Sequence, residues 1–381
     1  MRIASFNVES LFERPVAMHP SEKATAASSG VLAEWKPGAS ILAAFAQLSE
    51  LLAKDVYTDP DKSAIVDLLK ALGLRSSDES KWAVLRQNRG RLVRRSPGKD
   101  PVVVARGRAS WLGWLELKKE PLSDVSIQNT GRVLKELAAD VQGIVEAESR
   151  IALLGLSGTV LANVGGTGFE HVMLIDGNDE RGIDVGIMTR NGWEITRILS
   201  HVDDSDGQGL IFSRDCAEYT VEKAGARFVV LANHFKSKGY GNQASNNAKR
   251  LRQATRVAAI YKQLRADGEE NVAVLGDFND TPGSAPLQPL LAASDLKDVS
   301  AHPSFSADPK RPGTFGNCTA KEKFDYILLS PNLFAKVTGG AVLRSGVWGG
   351  TNGTLWPHYP EINRQVDQAS DHAAIYADLN L

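Results

Sequence analysis

Short apolar runs with the spacing of β-strands recur along most of the chain. They cover residues 2–8, 141–145, 183–188, 227–232, 271–275 and 326–329. Two longer segments, 126–139 and 244–266, instead space their apolar residues as amphipathic helices do. Short strands with only some intervening helices are typical of two mixed sheets that pack together, with helices outside. The pattern therefore predicts an α/β fold built on two packed mixed β-sheets.

The segment 20–113 follows a different pattern. Residues 41–54 and 61–72 carry apolar residues at helical spacing. The sequence Ser-Ser-Asp-Glu at 76–79 has the spacing of a capping box, which would open a third helix running through Leu85. We therefore predict that 20–113 is a mainly helical insertion after the first strand.

Composition excludes several classes of protein. The 381 residues suffice for one large domain or two ordinary ones, and we predict a single domain, 1–381. The formal net charge is −1, so attraction for nucleic acid requires a local patch. Cys216 and Cys318 are far apart in sequence, which argues against a disulfide framework. With no apolar run of membrane length and no secretory pattern at the N-terminus, we expect a cytoplasmic protein with no membrane association and no obligate protein partner.

One local basic patch is present. Residues 86–108 include eight Lys and Arg and one acid, and Trp111 and Trp114 follow. Such a segment can guide a polyanion, with the indole rings as stacking surfaces. The alternative is a solvated charged face and a pair of core tryptophans. We expect the patch to contribute to substrate binding.

Acids, asparagines and histidines stand at the ends of the strand-like runs. They read Asn7-Val8-Glu9, Val145-Glu146, Asn233-His234-Phe235-Lys236-Ser237, Gly276-Asp277-Phe278-Asn279, Asp325-Tyr326 and Ser370-Asp371-His372. Hard oxygen ligands for a divalent cation and two histidines for proton transfer are what phosphodiester hydrolysis at neutral pH requires. No single motif is specific, but the ordered set predicts an active site.

Two of these motifs have clear structural alternatives. Asp277 and Asn279 are two residues apart, so in an extended backbone they point the same way, yet both are also common turn formers. A lone histidine such as His234 is more often a hydrogen-bonded core residue. Lys236 and Ser237 follow it directly, however, and add a cation and a hydroxyl suited to phosphate.

The remaining motifs are also open to two interpretations. Asn7 and Glu9 share one face of an extended segment. Glu146 is either a solvated acid at a strand edge or a metal ligand. Asp371 and His372 are adjacent, so they can share a site only at a strand end or bend, and capping of a helix or strand start is the alternative.

Taken in order, the motifs resemble those of the endonuclease/exonuclease/phosphatase superfamily, the group of deoxyribonuclease I and the apurinic/apyrimidinic endonucleases. The resemblance covers residues 1–15 and 131–381 and leaves 20–113 outside. Lys323-Phe324-Asp325 stands where the family often has Arg-Ile-Asp, which keeps the charge. The resemblance implies a four-layer α/β sandwich of two packed mixed β-sheets flanked by helices, with the active site at one end of the sheets.

The resemblance also implies a role for each candidate residue. The implied Mg²⁺ ligands are Glu146 as the principal one, assisted by Asn7, Glu9 and Asp371, and Mn²⁺ is a possible substitute. His372, oriented by Asp325, would be the general base for the attacking water. Asp277 and Asn279 would position the nucleophile and the phosphate, and His234 would steady the phosphate or the leaving oxygen.

The predicted function is Mg²⁺-dependent hydrolysis of phosphodiester bonds by a nuclease, with nucleic acid as the substrate. The candidate substrate-binding residues are Asn233, Lys236, Ser237, Arg214 and Asp184. For Arg214 and Asp184 the alternative is an ordinary charge at a sheet edge. Two alternative functions remain, which are a phosphatase or phosphodiesterase acting on a small or lipid phosphate, and a non-catalytic binding module on the same fold.

Overall fold

The computed structural model describes residues 1–11, 36–118, 124–179, 181–239 and 241–381. The chain divides into two compact units. The larger unit comprises Met1–Phe12 with Leu122–Leu381, and the smaller unit comprises Glu13–Pro121. None of the helices within the described ranges is both long and apolar enough to cross a membrane.

The elements follow the chain in this order. Strand β1 is Arg2–Leu11. The smaller unit holds α1 (Lys36–Leu52), α2 (Asp59–Ala71), β2 (Ala83–Arg89), β3 (Val93–Arg94), β4 (Val102–Val103) and β5 (Leu112–Leu117). The larger unit continues with α3 (Asp124–Leu137), β6 (Val141–Ala147), α4 (Arg150–Gly155), a π-helical turn (Leu156–Val160), α5 (Leu161–Asn163), β7 (His171–Ile175), β8 (Asp184–Thr189), β9 (Glu194–Leu199), β10 (Ser205–Asp206), β11 (Gly209–Leu210), β12 (Cys216–Lys223), β13 (Ala226–His234), α6 (Gln243–Ala266), β14 (Val272–Asp277), α7 (Gln288–Leu291), β15 (Lys297–Asp298), β16 (Asp325–Leu329), α8 (Pro331–Phe334), β17 (Val337–Leu343) and β18 (Ala374–Leu379).

The larger unit is built on two six-stranded sheets. The first has the order β17-β18-β1-β6-β8-β7, and the second has the order β15-β16-β14-β13-β12-β9. Near the centre of each sheet one pair of strands is parallel, β1 with β6 and β13 with β14. Their outer neighbours β18, β8 and β16 run antiparallel to them. The two sheets are therefore mixed, as the apolar pattern predicts.

Alternate residues of the central strands are buried in different layers. In β13, Val230 belongs to the core between the two sheets, whereas Val229 and Leu231 pack against α6. In β1, Ile3 faces the core between the sheets and Phe6 packs with the α3 side. Because both faces of each central strand are covered, these strands read as continuous apolar runs. The layers are helix, sheet, sheet and helix, which confirms the predicted four-layer sandwich.

The two sheets approach each other closely near one end. Gly143 on β6 faces Leu275 on β14, and a Cβ atom at position 143 would overlap the Leu275 Cδ1 atom. The absence of a side chain at position 143 leaves room for the end of the Leu275 side chain of the opposite sheet. Gly143 lies three residues before Glu146 in β6, and Leu275 lies two residues before Asp277 in β14. This contact is therefore close to the ends of both strands.

The smaller unit has its own core but is not built from three helices. The first two predicted helices are present as α1 and α2, with a Thr58 capping box at the start of α2. The predicted third helix is wrong, because residues 83–89 form a strand paired with β5. Ser80 turns the chain there by accepting hydrogen bonds from the backbone of Trp82 and Ala83. Ala83 and Leu85 are buried and alternate with less buried neighbours, which is the two-residue period of a strand.

The basic segment 86–108 lies in this unit and divides into paired and exposed cations. Arg86 pairs with Glu116, and Arg95 pairs with Asp78. The exposed cations, for which the described residues supply no ion pair, are Arg89, Arg91, Arg94, Lys99 and Arg106. Trp111 is buried and donates its indole N–H to Tyr57 at 2.7 Å, so its interpretation as a stacking surface is wrong. Trp114 is 49% exposed and remains available for stacking.

Candidate active site

The topology brings the polar motifs to one end of the two sheets. The parallel pairs β1–β6 and β13–β14 end together, so the ends of their sequences meet at the same edge of each sheet. The antiparallel neighbours β8, β16 and β18 begin at that edge, with Asp184 opposite Ala147 and Asp325 opposite Asp277. His372 stands two residues before β18. Motifs that are up to 365 residues apart in sequence therefore face one another.

Local backbone distortions aim three of the side chains. Glu9, Glu146 and Asn279 have φ angles of 49°, 67° and 54°, in the left-handed region that L-residues seldom occupy. Glu146 is the extra residue of a β-bulge, because Val145 and Ala147 pair with consecutive residues of β8. Asn7 and Glu9 do not share a face of a regular strand, since the Glu9 backbone N–H donates to Asn7 Oδ1 at 3.0 Å. Strain of this kind concentrates at functional sites.

Glu146, His234 and Asp277 form the centre of the cluster. Their donor atoms lie within 4.8 Å of one another. His234 Nε2 is 3.6 Å from Glu146 Oε1 and 3.7 Å from Asp277 Oδ2. Asn7 joins the two acids by donating its amide to Glu146 at 3.3 Å and to Asp277 at 3.2 Å. The last of these contacts links β1 of one sheet to β14 of the other.

Asp277 and Asn279 meet through a turn and not along an extended strand. The Asn279 backbone N–H donates to Asp277 Oδ1 at 2.8 Å, and its side-chain amide donates to Asp277 Oδ2 at 3.0 Å. This is an Asx turn, so Asp277 and Asn279 act as turn formers and also bring their side chains together at the site. Burial, together with the nearby Asp325 and Glu146 carboxylates, raises the pKa of Asp277 to about 7, although His372 acts in the opposite direction.

Gly276 allows β13 and β14 to approach at the site. Its φ angle is 128°, and a Cβ atom there would collide with the carbonyl oxygen of Asn233. Because glycine has no Cβ, β13 and β14 can stay paired as far as His234 and Asp277. The glycine therefore fixes the distance between one histidine and one acid of the cluster.

His372 and Asp325 form a buried pair. His372 Nδ1 lies 2.7 Å from Asp325 Oδ2, and the Thr314 hydroxyl donates to the same oxygen at 2.6 Å. His372 Nε2 faces Asp277 and Asp371, each at 3.9 Å. Burial lowers the pKa of His372, but the carboxylates of Asp325, Asp277 and Asp371 outweigh it and raise that pKa well above its usual value.

Thr314 and Phe315 belong to this site, although no sequence motif pointed to either. Thr314 also accepts the backbone N–H of Asp325 at 3.0 Å, so one hydroxyl fixes both the strand start and its carboxylate. The Phe315 ring lies 4.9 Å from the His372 ring. Both residues come from an irregular loop, where no periodic pattern marks a functional position.

Glu9 and Asp371 complete the acidic side of the site. Glu9 Oε2 accepts the backbone N–H of Asp371 at 2.8 Å and the Gln368 amide at 3.4 Å. Loss of surrounding water and the Asp371 carboxylate raise the pKa of Glu9 to about 7. Burial, with Glu146 and Asp325 nearby, also raises the pKa of Asp371 against the opposing effect of His372. The acids repel one another because too few cations balance them.

His234 has the opposite environment to His372. Arg214, which is buried, places Nη2 2.7 Å from His234 Nε2 and Nε 3.2 Å from His234 Nδ1. Burial and the Arg214 charge lower the pKa of His234 well below its usual value. Asp179 lies 3.5 Å from Arg214 Nη1 and also pairs with Arg181 at 2.8 Å. His234 is therefore neutral at neutral pH, and because a guanidinium group can only donate, His234 Nε2 accepts the hydrogen bond from Arg214.

The candidate substrate-binding residues lie around His234 with one exception. Arg214 contacts the ring directly, and Lys236 and Ser237 follow it in the loop, half-buried. Asp184 is buried at the start of β8, where burial and Asp176 raise its pKa to about 8. Asn233 is not brought to the site, because alternate strand residues face opposite sides and its amide donates to Leu231 O at 3.0 Å.

The donor set fits a divalent cation. Two groups of three donors lie within the same 4.8 Å limit, Glu146–His234–Asp277 and Asp277–Asp325–His372. Burial and, to a lesser degree, neighbouring carboxylates raise the pKa values of Glu9 and Asp277, and a bound cation would stabilise the ionised forms. Asp325 Oδ1 is buried without a hydrogen-bond partner among the described residues. Hard oxygen donors with one imidazole suit Mg²⁺ or Mn²⁺.

Solved structures provide examples of similar chains. An endonuclease/exonuclease/phosphatase of Bacteroides vulgatus is 18% identical, with 68% of this chain and 90% of that chain covered and a TM-score of 0.48. A mannosyl-6-phosphatase of Bacteroides thetaiotaomicron is 16% identical, with coverage of 67% and 91% and a TM-score of 0.49. Truncated TDP2 of Caenorhabditis elegans is 16% identical, with coverage of 66% and 88% and a TM-score of 0.47.

The sequence itself identifies the family. No curated protein matches the chain at a significant level. The profile of the Endonuclease/Exonuclease/phosphatase family matches residues 118–343, which is more than half of the 381 residues and includes Glu146, His234, Asp277 and Asp325. The chain belongs to the Endonuclease/Exonuclease/phosphatase family.

Proposed function

We propose that this protein is a Mg²⁺-dependent nuclease that hydrolyses phosphodiester bonds by attack of a His-activated water. The observation that carries the proposal is the 2.7 Å contact between His372 and Asp325, at the same strand ends as the Glu146–His234–Asp277 cluster. A positioned imidazole beside a cation-binding acidic cluster supplies the two requirements of phosphoester hydrolysis.

His372 is the proposed general base. Asp325 occupies Nδ1, so Nε2 is the atom that accepts the proton of the attacking water. The carboxylates around Nε2 favour the protonated ring, and the base form therefore requires that positive charge at the acidic cluster offset them. Asp325 stabilises the imidazolium that forms after proton transfer.

The proposed cation ligand is Glu146, with Asn7, Glu9 and Asp371 as the assisting residues. When bound, Mg²⁺ supplies positive charge that offsets the charge developing on the phosphoryl oxygens and the leaving group. Asn7 already contacts Glu146 and Asp277, so it holds these acids in place.

The other residues of the cluster orient the reacting groups. Asp277, fixed by Asn279, would position the nucleophilic water next to His372, whose Nε2 is 3.9 Å away. Neutral His234, held by Arg214, would steady the phosphate or the leaving oxygen. Donors aimed at developing charge in a buried site contribute more than in water, because they do not have to reorient.

Nucleic acid is the proposed substrate because of the cations of the smaller unit. Arg89, Arg91 and Arg94 are exposed, and no acid of the described residues pairs with them. Exposed arginines that are not used within the fold suit a polyanionic backbone.

A substrate panel tests the proposal. Purified protein with Mg²⁺ or Mn²⁺ is incubated with single- and double-stranded DNA, RNA, abasic DNA, sugar phosphates and phospholipids. We expect cleavage of nucleic acid that stops when the metal is chelated. Hydrolysis confined to sugar phosphates or phospholipids would show that the protein is a phosphatase or phosphodiesterase of small or lipid phosphates. If no ester is hydrolysed, the non-catalytic binding module is the remaining function.

One substitution tests the cation site within the same assay. Glu146→Gln keeps the shape of the side chain but removes its charge, so it should abolish most of the activity and leave the fold intact. Glu148→Gln is the matched control, because Glu148 lies two residues further on, directly after the end of β6. Wild-type turnover by Glu146→Gln in Mg²⁺ would show that the ligand assignment is wrong.

A further inference from the structure

The smaller unit contains a cleft of about 300 Å³ between two short segments, 75–76 and 95–99. The first segment follows α2, and the second belongs to the loop that joins the paired strands β3 and β4. We call it the hairpin cleft. Leu74 and Val93, which precede the two segments, are buried in the core of this unit. The core therefore anchors both walls of the cleft.

Ion pairs connect the two walls. Arg75 Nε lies 2.7 Å from Asp100 Oδ1, and Arg95 Nη1 lies 2.5 Å from Asp78 Oδ1. Arg95 Nη2 also donates to the carbonyl oxygen of Leu74 at 3.1 Å. Each arginine is thus bonded to a residue next to the opposite wall, and these contacts orient both guanidinium groups.

The charges of the hairpin cleft leave a small positive excess. The ionised side chains that line the cleft, or belong to the same network of ion pairs, are the cations Lys70, Arg75, Arg95 and Lys99 and the carboxylates of Asp67, Asp78 and Asp100. Lys70 shares Asp100 with Arg75, at a distance of 3.1 Å. Lys99 is exposed, and no acid within the described ranges pairs with it. One cation of the lining is therefore available to an external anion.

The lining also holds hydrogen-bond donors that the fold does not use. Arg75 donates only through Nε, and its terminal amino groups have no partner among the described residues. Arg95 Nε is buried without a hydrogen-bond partner in that same part of the chain. The Ser76 and Ser96 hydroxyls are exposed, and neither is hydrogen-bonded to a described residue. A ligand that satisfies this lining must offer several acceptor oxygens.

We propose that the hairpin cleft binds a phosphate group through Arg75, Arg95 and Lys99, with the hydroxyls of Ser76 and Ser96. Planar guanidinium groups match the geometry of phosphate oxygens, and Lys99 supplies the charge that the ion pairs leave unbalanced. A nucleic-acid chain and a free phosphate ion share this chemistry. The inference goes beyond the proposed function, because it assigns a binding site to a unit that holds none of the active-site residues described above.

Equilibrium binding in EDTA tests the cleft without turnover. The probes are a short oligothymidylate and sodium phosphate, titrated calorimetrically. The cleft variant combines Arg75→Met with Lys99→Met and leaves Asp100 paired with Lys70. It should bind the ligand of the cleft about tenfold more weakly, as expected for lost hydrogen bonds to a charged group. If that ligand is the oligothymidylate, the salt dependence of its affinity should also decrease, by a slope of about 0.7 for each lost phosphate contact.

A matched control separates the cleft from net charge. Lys223→Met combined with Lys262→Met removes two exposed cations of the larger unit and should leave both affinities unchanged. A loss in the cleft variant that is confined to sodium phosphate would assign the cleft to free phosphate, and a loss that includes the oligothymidylate would assign it to a nucleic-acid chain. Unchanged affinity for both probes would overturn the proposal, as would an equal loss in the control.

Acetylation of lysines locates the ligand directly. Mass spectrometry measures the rate of modification of Lys99 and Lys262 in the wild type, with and without a saturating probe. Bound phosphate should slow the reaction at Lys99 and leave that at Lys262 unchanged. An unprotected Lys99 would show that the phosphate lies elsewhere and would overturn the site. If no ester of the substrate panel is hydrolysed, the proposed function is wrong, and these measurements still decide the cleft.

Discussion

Two histidines stand at the same end of the two sheets and have opposite environments. His372 contacts Asp325 at 2.7 Å, and the neighbouring carboxylates raise its pKa. His234 contacts Arg214 at 2.7 Å, and burial and that charge lower its pKa. Both rings are buried, and burial by itself lowers the pKa of each. The carboxylates reverse that shift at His372, whereas Arg214 adds to it at His234. One ring is suited to accept and hold a proton, and the other to remain neutral.

The largest expected effect follows from removal of the His372 pair. His372→Ala should lower kcat by about 10²–10⁴, the usual contribution of a general base. Asp325→Ala should also be slow, and the double variant should be little slower than the slower single variant, because the two residues act as a unit. Steady-state kinetics on a double-mutant cycle measure this. Fully multiplicative losses would show that the two residues act independently.

Removal of Arg214 tests the other half of the comparison. Arg214→Met should raise the pKa of His234, because the adjacent positive charge is lost while burial remains. Loss of the partner that orients the ring should lower kcat/KM by about 10–100-fold. Imidazole NMR titration and kinetics check the two effects. Arg227→Met, at the exposed start of the same strand, is the control. An unchanged titration of His234 would mean that burial alone determines its charge.

The pH dependence sharpens the contrast further. The base form of His372 must be neutral, so kcat/KM should fall as the pH falls through its pKa. Asp325 raises that pKa, and Asp325→Asn should therefore move the acidic limb of the profile to lower pH while the plateau decreases. An Asp325→Asn profile with the wild-type midpoint would show that a different group limits the rate at low pH, and Glu9, with a pKa of about 7, would be the first alternative.

The smallest effect is expected in the smaller unit, far in sequence from either histidine. Arg91→Glu combined with Arg94→Glu should weaken binding of long DNA and flatten its salt dependence, by a slope of about 0.9 for each lost phosphate contact. Arg95 is unsuitable for this test because it pairs with Asp78 and Leu74 O. Turnover of bis(p-nitrophenyl) phosphate should not change. An equal loss on both substrates would mean that the segment supports the active site.

The fold was predictable because its central strands are buried on both faces. Continuous apolar runs such as 271–275 mark such strands, and the polar residues directly after them mark the ends where the sheets stop. The wrong prediction of a third helix has a different cause. The serines before Ala83 form a turn, and the short alternation of Ala83 and Leu85 was outweighed by the capping-box spacing.

The site was predictable as a set of residues but not as a geometry. A strand end can be read from the sequence, whereas the bulge at Glu146 and the left-handed turn at Asn279 depend on the neighbouring strands. Thr314 is 11 residues before Asp325, and Arg214 is 20 residues before His234, so only the tertiary fold brings each pair together. The resemblance implied the Asp325–His372 pair, whereas the Thr314–Asp325 and Arg214–His234 contacts were not predicted.

The contact between the two sheets at Gly143 links the spacing of the active-site acids to a position in the core. One sheet carries Glu146 and the other carries Asp277, and the absence of a side chain at position 143 leaves room for Leu275 of the second sheet. We expect a methyl group there to press on Leu275 and to increase the distance between the sheets that carry the two acids. We expect Gly143→Ala to change the distance between Glu146 and Asp277 without altering any residue that contacts the substrate. A residue in the core would then influence which substrates fit the site.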